Sequence, residues 1–122
     1  MRWLLILALV ACTPVGVFTE SDCQTDVAMR QTYAGFGSAF FTSYCLACHS
    51  TTKSGSDRNG APGTIDFDTE SLVRDNTSDI DKQAAFGPKS QNEIMPPDGR
   101  PKPSASERTQ LGQFIACEVA NP

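Results

Sequence analysis

Two thiols and the chain's single histidine lie within one pentapeptide, Cys45-Leu-Ala-Cys48-His49. Residues three apart share one face of a helical turn, and three chemistries begin from such a pair. Zinc would take both sulfurs as thiolates, a redox dithiol would cycle through a disulfide, and a covalent haem would take both as thioethers. A structural zinc ion asks for four ligands, usually from two pairs. Here one pair exists, His49 directly adjoins Cys48, and Cys23 and Cys117 are isolated toward opposite ends. Zinc is therefore poorly supplied. A thioredoxin-like dithiol belongs at the end of a strand in a βαβ unit, whereas an aromatic-rich stretch of helical spacing precedes Cys45. Covalent haem fits best. Thiols at i and i+3 can add to both vinyl groups of one porphyrin, and the next imidazole then sits under the iron.

A haem iron needs a sixth ligand or an open position. A second histidine from the same chain is excluded, which leaves Met29 and Met95 beyond the first residue. Met29 reads as part of the first helical stretch. Met95 lies in Glu-Ile-Met95-Pro96-Pro97-Asp-Gly, where Pro96 biases Met95 toward extended backbone and away from helix. A stiff, non-helical strap suits a thioether presented to a haem face. A methionine and a histidine together raise the reduction potential relative to two nitrogen ligands.

The elements that must position these residues follow from spacing and caps. Val27, Met29, Tyr33, Phe36, Phe40, Phe41 and Tyr44 recur at helical intervals, predicting a helix from Asp26 to about Ala47 with Thr25 or Asp26 as its cap. Gly35 and Gly37 within it weaken an isolated helix by about 1 kcal/mol each relative to Ala, which points to a close approach by another element. Residues 50–64 are polar and rich in Gly and Ser, a long loop of the kind that wraps something. Two short helices are expected next, Thr69 to Arg74 capped by Asp68, and Asp79 to Phe86 capped by Ser78 and ended by Gly87 and Pro88. Residues 89–103 are too rich in proline for helix or central strand. Ser104-Ala-Ser-Glu107 is a capping box opening a helix to about Ala120 with Leu111, Phe114, Ile115 and Val119 on its apolar face. No alternating strand pattern occurs, so the fold class is all-α.

The chain has 122 residues and a net charge of −4, with no basic run. One domain is the prior. A nucleic-acid partner is excluded by the want of clustered Lys and Arg. Residues 1–11 read as a signal segment: Arg2, then an apolar run too short to span a bilayer. Loss of Arg2 with that segment would bring the charge to −5. Residues 12–25 read as a tether and 26–120 as the folded domain.

These motifs resemble class I c-type cytochromes, in particular small bacterial lipoprotein-type monohaem cytochromes, over roughly residues 27–120. In that family a glycine and an aromatic stand eight and four residues before the first haem cysteine, the positions of Gly37 and Phe41. Its last helix carries an aliphatic residue and then an aromatic packed on that glycine, matched by Leu111 and Phe114. The resemblance implies a small cytochrome c fold, with N- and C-terminal helices crossed around one covalent haem c per chain. Cys45 and Cys48 would carry the haem, and His49 and Met95 would be the axial iron ligands. A loop proline carbonyl, for which Pro62 is the counterpart, would support the imidazole. The function implied is a one-electron carrier and not an enzyme. The alternatives are a haem peroxidase or sensor with a labile sixth ligand, or a haem subunit of a membrane oxidoreductase complex. Redox proteins would dock on a monomer at the haem edge. The departures are the absence of a lysine ring around the motif and of any tryptophan after residue 3.

Leu9-Val10-Ala11-Cys12 resembles a lipobox, which implies cleavage before Cys12, lipidation of its sulfur, and a periplasmic protein held to a membrane by that anchor alone. With the crossed helices packed together, Cys23 and Cys117 are placed to form a disulfide. The alternative is two unpaired buried thiols.

Overall fold

A computed structural model describes residues 21–86 and 93–121. The signal segment, Cys12, most of the tether, and Gly87 and Pro88 lie outside the described residues. The described chain is all-α, with no strand among those residues. Within them no helix is long and apolar enough to cross a membrane.

The first helical stretch is shorter than its spacing predicts. Asp26 accepts from the Ala28 N–H and caps only a single 3₁₀ turn, Val27–Met29. Arg30 and Thr32 then run extended. Thr32 is the effective cap: its hydroxyl accepts from the Gly35 N–H at 3.0 Å and opens a wide π turn, Tyr33–Gly37, that continues as α1, Ser38–Tyr44. The physical reason is burial. Val27 and Met29 remain 71% and 64% exposed, so the first turns of the predicted helix have no core to face.

Helix α2 spans Glu70–Asp75 and α3 spans Thr77–Ala84. Thr69, not Asp68, caps α2 through Leu72 N–H, and α3 begins directly at Asn76 without a side-chain cap. Asp68 is occupied elsewhere: its carboxylate accepts from the Ser50 hydroxyl at 2.6 Å and from Thr51 N–H at 2.7 Å. Helix α4, Ala105–Ala120, carries the expected capping box, with Ser104 and Glu107 bonded reciprocally. The Glu107 carboxylate also accepts from the Tyr44 hydroxyl at 2.9 Å, tying the end of α1 to the start of α4.

Phe41, Leu111, Phe114 and Ile115 are fully buried, each contributing about 1.5–3 kcal/mol by its removal from water. A Cβ on Gly37 would stand 3.0 Å from Tyr33 Cδ2 and 3.3 Å from Phe114 Cζ. The close approach expected at Gly37 is thus made by Phe114 of α4. Gly35 has a different reason, because a Cβ there would meet the capping oxygen of Thr32 at 3.0 Å. Cys23 and Cys117 are bonded, with a Cα–Cα distance of 4.5 Å. That bond draws residue 23, read as tether, into the folded body. At the same end Arg74 on α2 reaches Glu118 on α4.

Candidate functional site

One cavity of about 600 Å³ receives Cys45, Cys48, His49 and Met95 together. Its apolar lining includes Phe40, Phe41, Ile65, Phe67 and Ile80. Its polar lining is sparse, with Arg58, Asn59, Gln83 and Arg100 among the contributors. The volume falls in the range of about 300–1,000 Å³ common for ligand and cofactor pockets, and such pockets are mostly apolar with a few placed polar groups.

The pentapeptide occupies the turn after α1. His49 N–H bonds back to Cys45 O at 2.9 Å and Cys48 N–H to the same oxygen at 3.1 Å, so one turn holds both thiols and the imidazole. Burial pushes the Cys45 thiol up to about 12, against the partial relief of the Arg108 guanidinium. Among the described residues no three His, Cys, Asp or Glu side chains are grouped to hold a metal ion by themselves.

His49 is oriented from both sides. Its ring packs on Phe67 at a centroid separation of 4.8 Å. Its Nδ1 lies 2.8 Å from Ile65 O, which leaves Nε2 as the ring's other nitrogen. Pro62 does not support the imidazole. Its carbonyl is taken by Arg58, and Ile65 supplies the acceptor instead.

Arg58 was not signalled by any sequence pattern, since it is one arginine in a polar loop. The loop wraps it. Its guanidinium donates to the carbonyls of Ser50, Lys53, Ala61, Pro62 and Ile65, and Nη2 lies 2.8 Å from Asp66 Oδ1. Both members of that ion pair are buried. Asn59 and Gly60, each at positive φ (49° and 85°), make the turn that folds the loop back over the guanidinium.

Met95 is held by its backbone. Its N–H bonds to Gln83 O on α3 at 3.0 Å. Its carbonyl accepts from Arg108 Nη1 at 3.0 Å, and the same nitrogen donates to Ala84 O at 2.7 Å. Lys102 donates to the Pro96 carbonyl. The Pro-rich strap is therefore fixed to α3 and α4 while Met95 remains 36% exposed. Arg108 did carry a sequence signal: it sits on the same face of α4 as Leu111 and Ile115, a cation on an apolar stripe.

No protein-family model, no curated protein and no solved structure matches the chain. The functional reading therefore rests on the site.

Proposed function

We propose that this protein is a one-electron carrier with a covalent haem c attached through Cys45 and Cys48 and ligated by His49 and Met95. One observation carries the reading: a single largely apolar cavity is lined by the two thiols, the imidazole and the thioether. The residues fit the group. Two sulfurs on one turn suit two thioether bonds, the cavity has the size of a cofactor site, and His49 has one nitrogen engaged by Ile65. When bound, the group supplies an iron that cycles between Fe(II) and Fe(III).

The chain's own residues do the rest. Ile65 O and Phe67 fix the imidazole plane. Arg108 and Gln83 fix the backbone of Met95. The phenyl rings and Ile80 give the cavity a largely apolar wall, and an apolar shell together with hydrogen bonding around ligands is what tunes a redox centre. With both ligands supplied by the protein, no open position is provided for substrate. Ile94 and Met95 leave a partly exposed apolar edge at the strap, suited to the small, weak interfaces of redox encounters. The charge of −5 that the chain would carry after loss of residues 1–11 favours partners that are basic near their own redox site. Attachment to a membrane through lipid on Cys12 belongs to the same proposal, and mass analysis of the mature N-terminus tests it.

The functional test is the absorption spectrum of protein produced with its export signal. The long-wavelength band of thioether–Fe(III) ligation is expected in the oxidised form, with no carbon monoxide binding to the reduced form at neutral pH. Ready carbon monoxide binding would favour the peroxidase or sensor reading instead. A protein without haem would leave a structural lipoprotein.

A further inference from the structure

Ile65 O accepts two hydrogen bonds. One comes from His49 Nδ1 at 2.8 Å and the other from Arg58 Nη2 at 3.1 Å. The second donor is a buried cation. Its remaining N–H groups are spent on Ser50, Lys53, Ala61 and Pro62, and Asp66 is its counter-charge. Arg58 lines the cavity, yet it faces backbone carbonyls and one carboxylate with all its nitrogens engaged. It is therefore not a free cation awaiting an acidic ligand.

We infer that Arg58 is a positioning residue that sets the reduction potential through the Ile65 carbonyl it shares with His49. The inference rests on the haem reading above. A carbonyl already accepting from a guanidinium has less electron density to offer a second donor. The Nδ1–H bond is correspondingly weaker, the imidazole gives less charge to the iron, and the ferric state is less stabilised. The cation itself opposes the extra positive charge of the ferric state, and in a low-dielectric interior that opposition is screened little. Asp66 works the other way, by drawing the guanidinium toward itself and offsetting its charge. The pair thus forms a setting device with opposite signs on its two members, and the atom through which it acts is Ile65 O.

The experiment compares the full-length haem protein with Arg58→Gln and Asp66→Asn. Two readouts are taken: the midpoint potential, and the His49 Nδ1–H proton resonance of the diamagnetic reduced state. Arg58→Gln is expected to lower the potential and shift that resonance downfield as the Nδ1–H···O bond strengthens. Asp66→Asn is expected to raise the potential and shift the resonance upfield. If Arg58→Gln does not fold, Asp66→Asn retains the arginine and carries the test alone. A potential that moves the same way in both variants overturns the inference. So does a His49 resonance that stays fixed while the potential changes, since general electrostatics or loop packing alone would give that. A wild-type protein with no covalent haem is a different result, because it overturns the proposed function from which the inference starts.

Discussion

Arg58 and Asp66 form an ion pair with little solvent on either side. Breaking a buried pair by deleting one partner leaves an uncompensated charge and costs about 3–5 kcal/mol. Asp66→Ala should lower the urea midpoint by a corresponding amount with the slope of the transition unchanged. A loss below 1 kcal/mol would mean that the carbonyl cage alone satisfies the guanidinium. Two carboxyls give a pH dependence. Burial raises Asp68, but hydrogen bonds from the Ser50 hydroxyl and the Thr51 N–H outweigh it and hold the group below its ordinary 3.8. Glu107 lies below its ordinary 4.5, chiefly through the Ser104 N–H. A carboxyl depressed in the folded state adds stability that is fully present above its unfolded value and is lost as pH falls through its folded value. The thermal midpoint should therefore stay level above pH 4.5, begin to fall below it as Glu107 protonates, and fall further below pH 3.8 as Asp68 does. Asp68→Asn should flatten part of that acid limb. That Cys45, Cys48, His49 and Met95 would be brought together was legible from type and spacing, and they line one cavity. Ile65 was not, because it acts through a backbone carbonyl, which every residue has and no side chain advertises. Pro62 failed for the same reason: the loop contains several carbonyls, and only the fold of the loop around Arg58 decides which one reaches the imidazole.

At the scale of elements, Gly37 is where the first helical segment and α4 meet. Tyr33 lies on one side of its Cβ position, and Phe114, which is fully buried, lies on the other. A Cβ there requires Phe114 to shift inside a filled core. Gly37→Ala should cost about 1–3 kcal/mol, the usual range for overpacking a filled core, read as a lowered denaturation midpoint. Stability equal to wild type would show that the two segments can separate without loss. This contact was legible because a glycine in a helix is costly and so marks a close neighbour. The start of that helix was not legible. Val27 and Met29 keep the helical interval with Tyr33 and Phe36, but periodicity records which residues would share a face and not whether anything covers it. Their exposure, with Thr32 capping farther along, is a decision of the tertiary structure. Asp68 likewise had the residue type for a cap and was drawn instead to Ser50 and Thr51, so Thr69 caps α2.

In the whole molecule, a disulfide and long-range polar links such as Arg74–Glu118 and Tyr44–Glu107 close the described helical body. The Cys23–Cys117 disulfide joins residues 94 apart in sequence. Loop closure on that scale contributes about 4.7 kcal/mol for a 100-residue loop when nothing else constrains the unfolded chain. In the proposed haem protein the bound group would itself constrain the unfolded chain, so Cys23→Ser with Cys117→Ser should cost less than this. The spectrum of the folded form should be unchanged, since neither sulfur lines the cavity. A changed spectrum would place the disulfide in control of the site. The all-α class was open to sequence reading because no segment alternates and the Ser104–Glu107 capping box and the proline-rich segment before it punctuate the chain. How the strap of residues 93–101 is fastened was not open to it. That depends on Arg108 reaching from α4 to Ala84 O and Met95 O, a bond between segments 24 and 13 residues away.

The proposed function requires the two thiols of one turn to be haem thioethers. Mass analysis of the proteolytic peptide spanning Cys45 to His49, from protein exported under haem-sufficient conditions, tests it most directly. One haem is expected on that peptide, with neither thiol open to alkylation. A peptide of unmodified mass with both cysteines alkylated would contradict it.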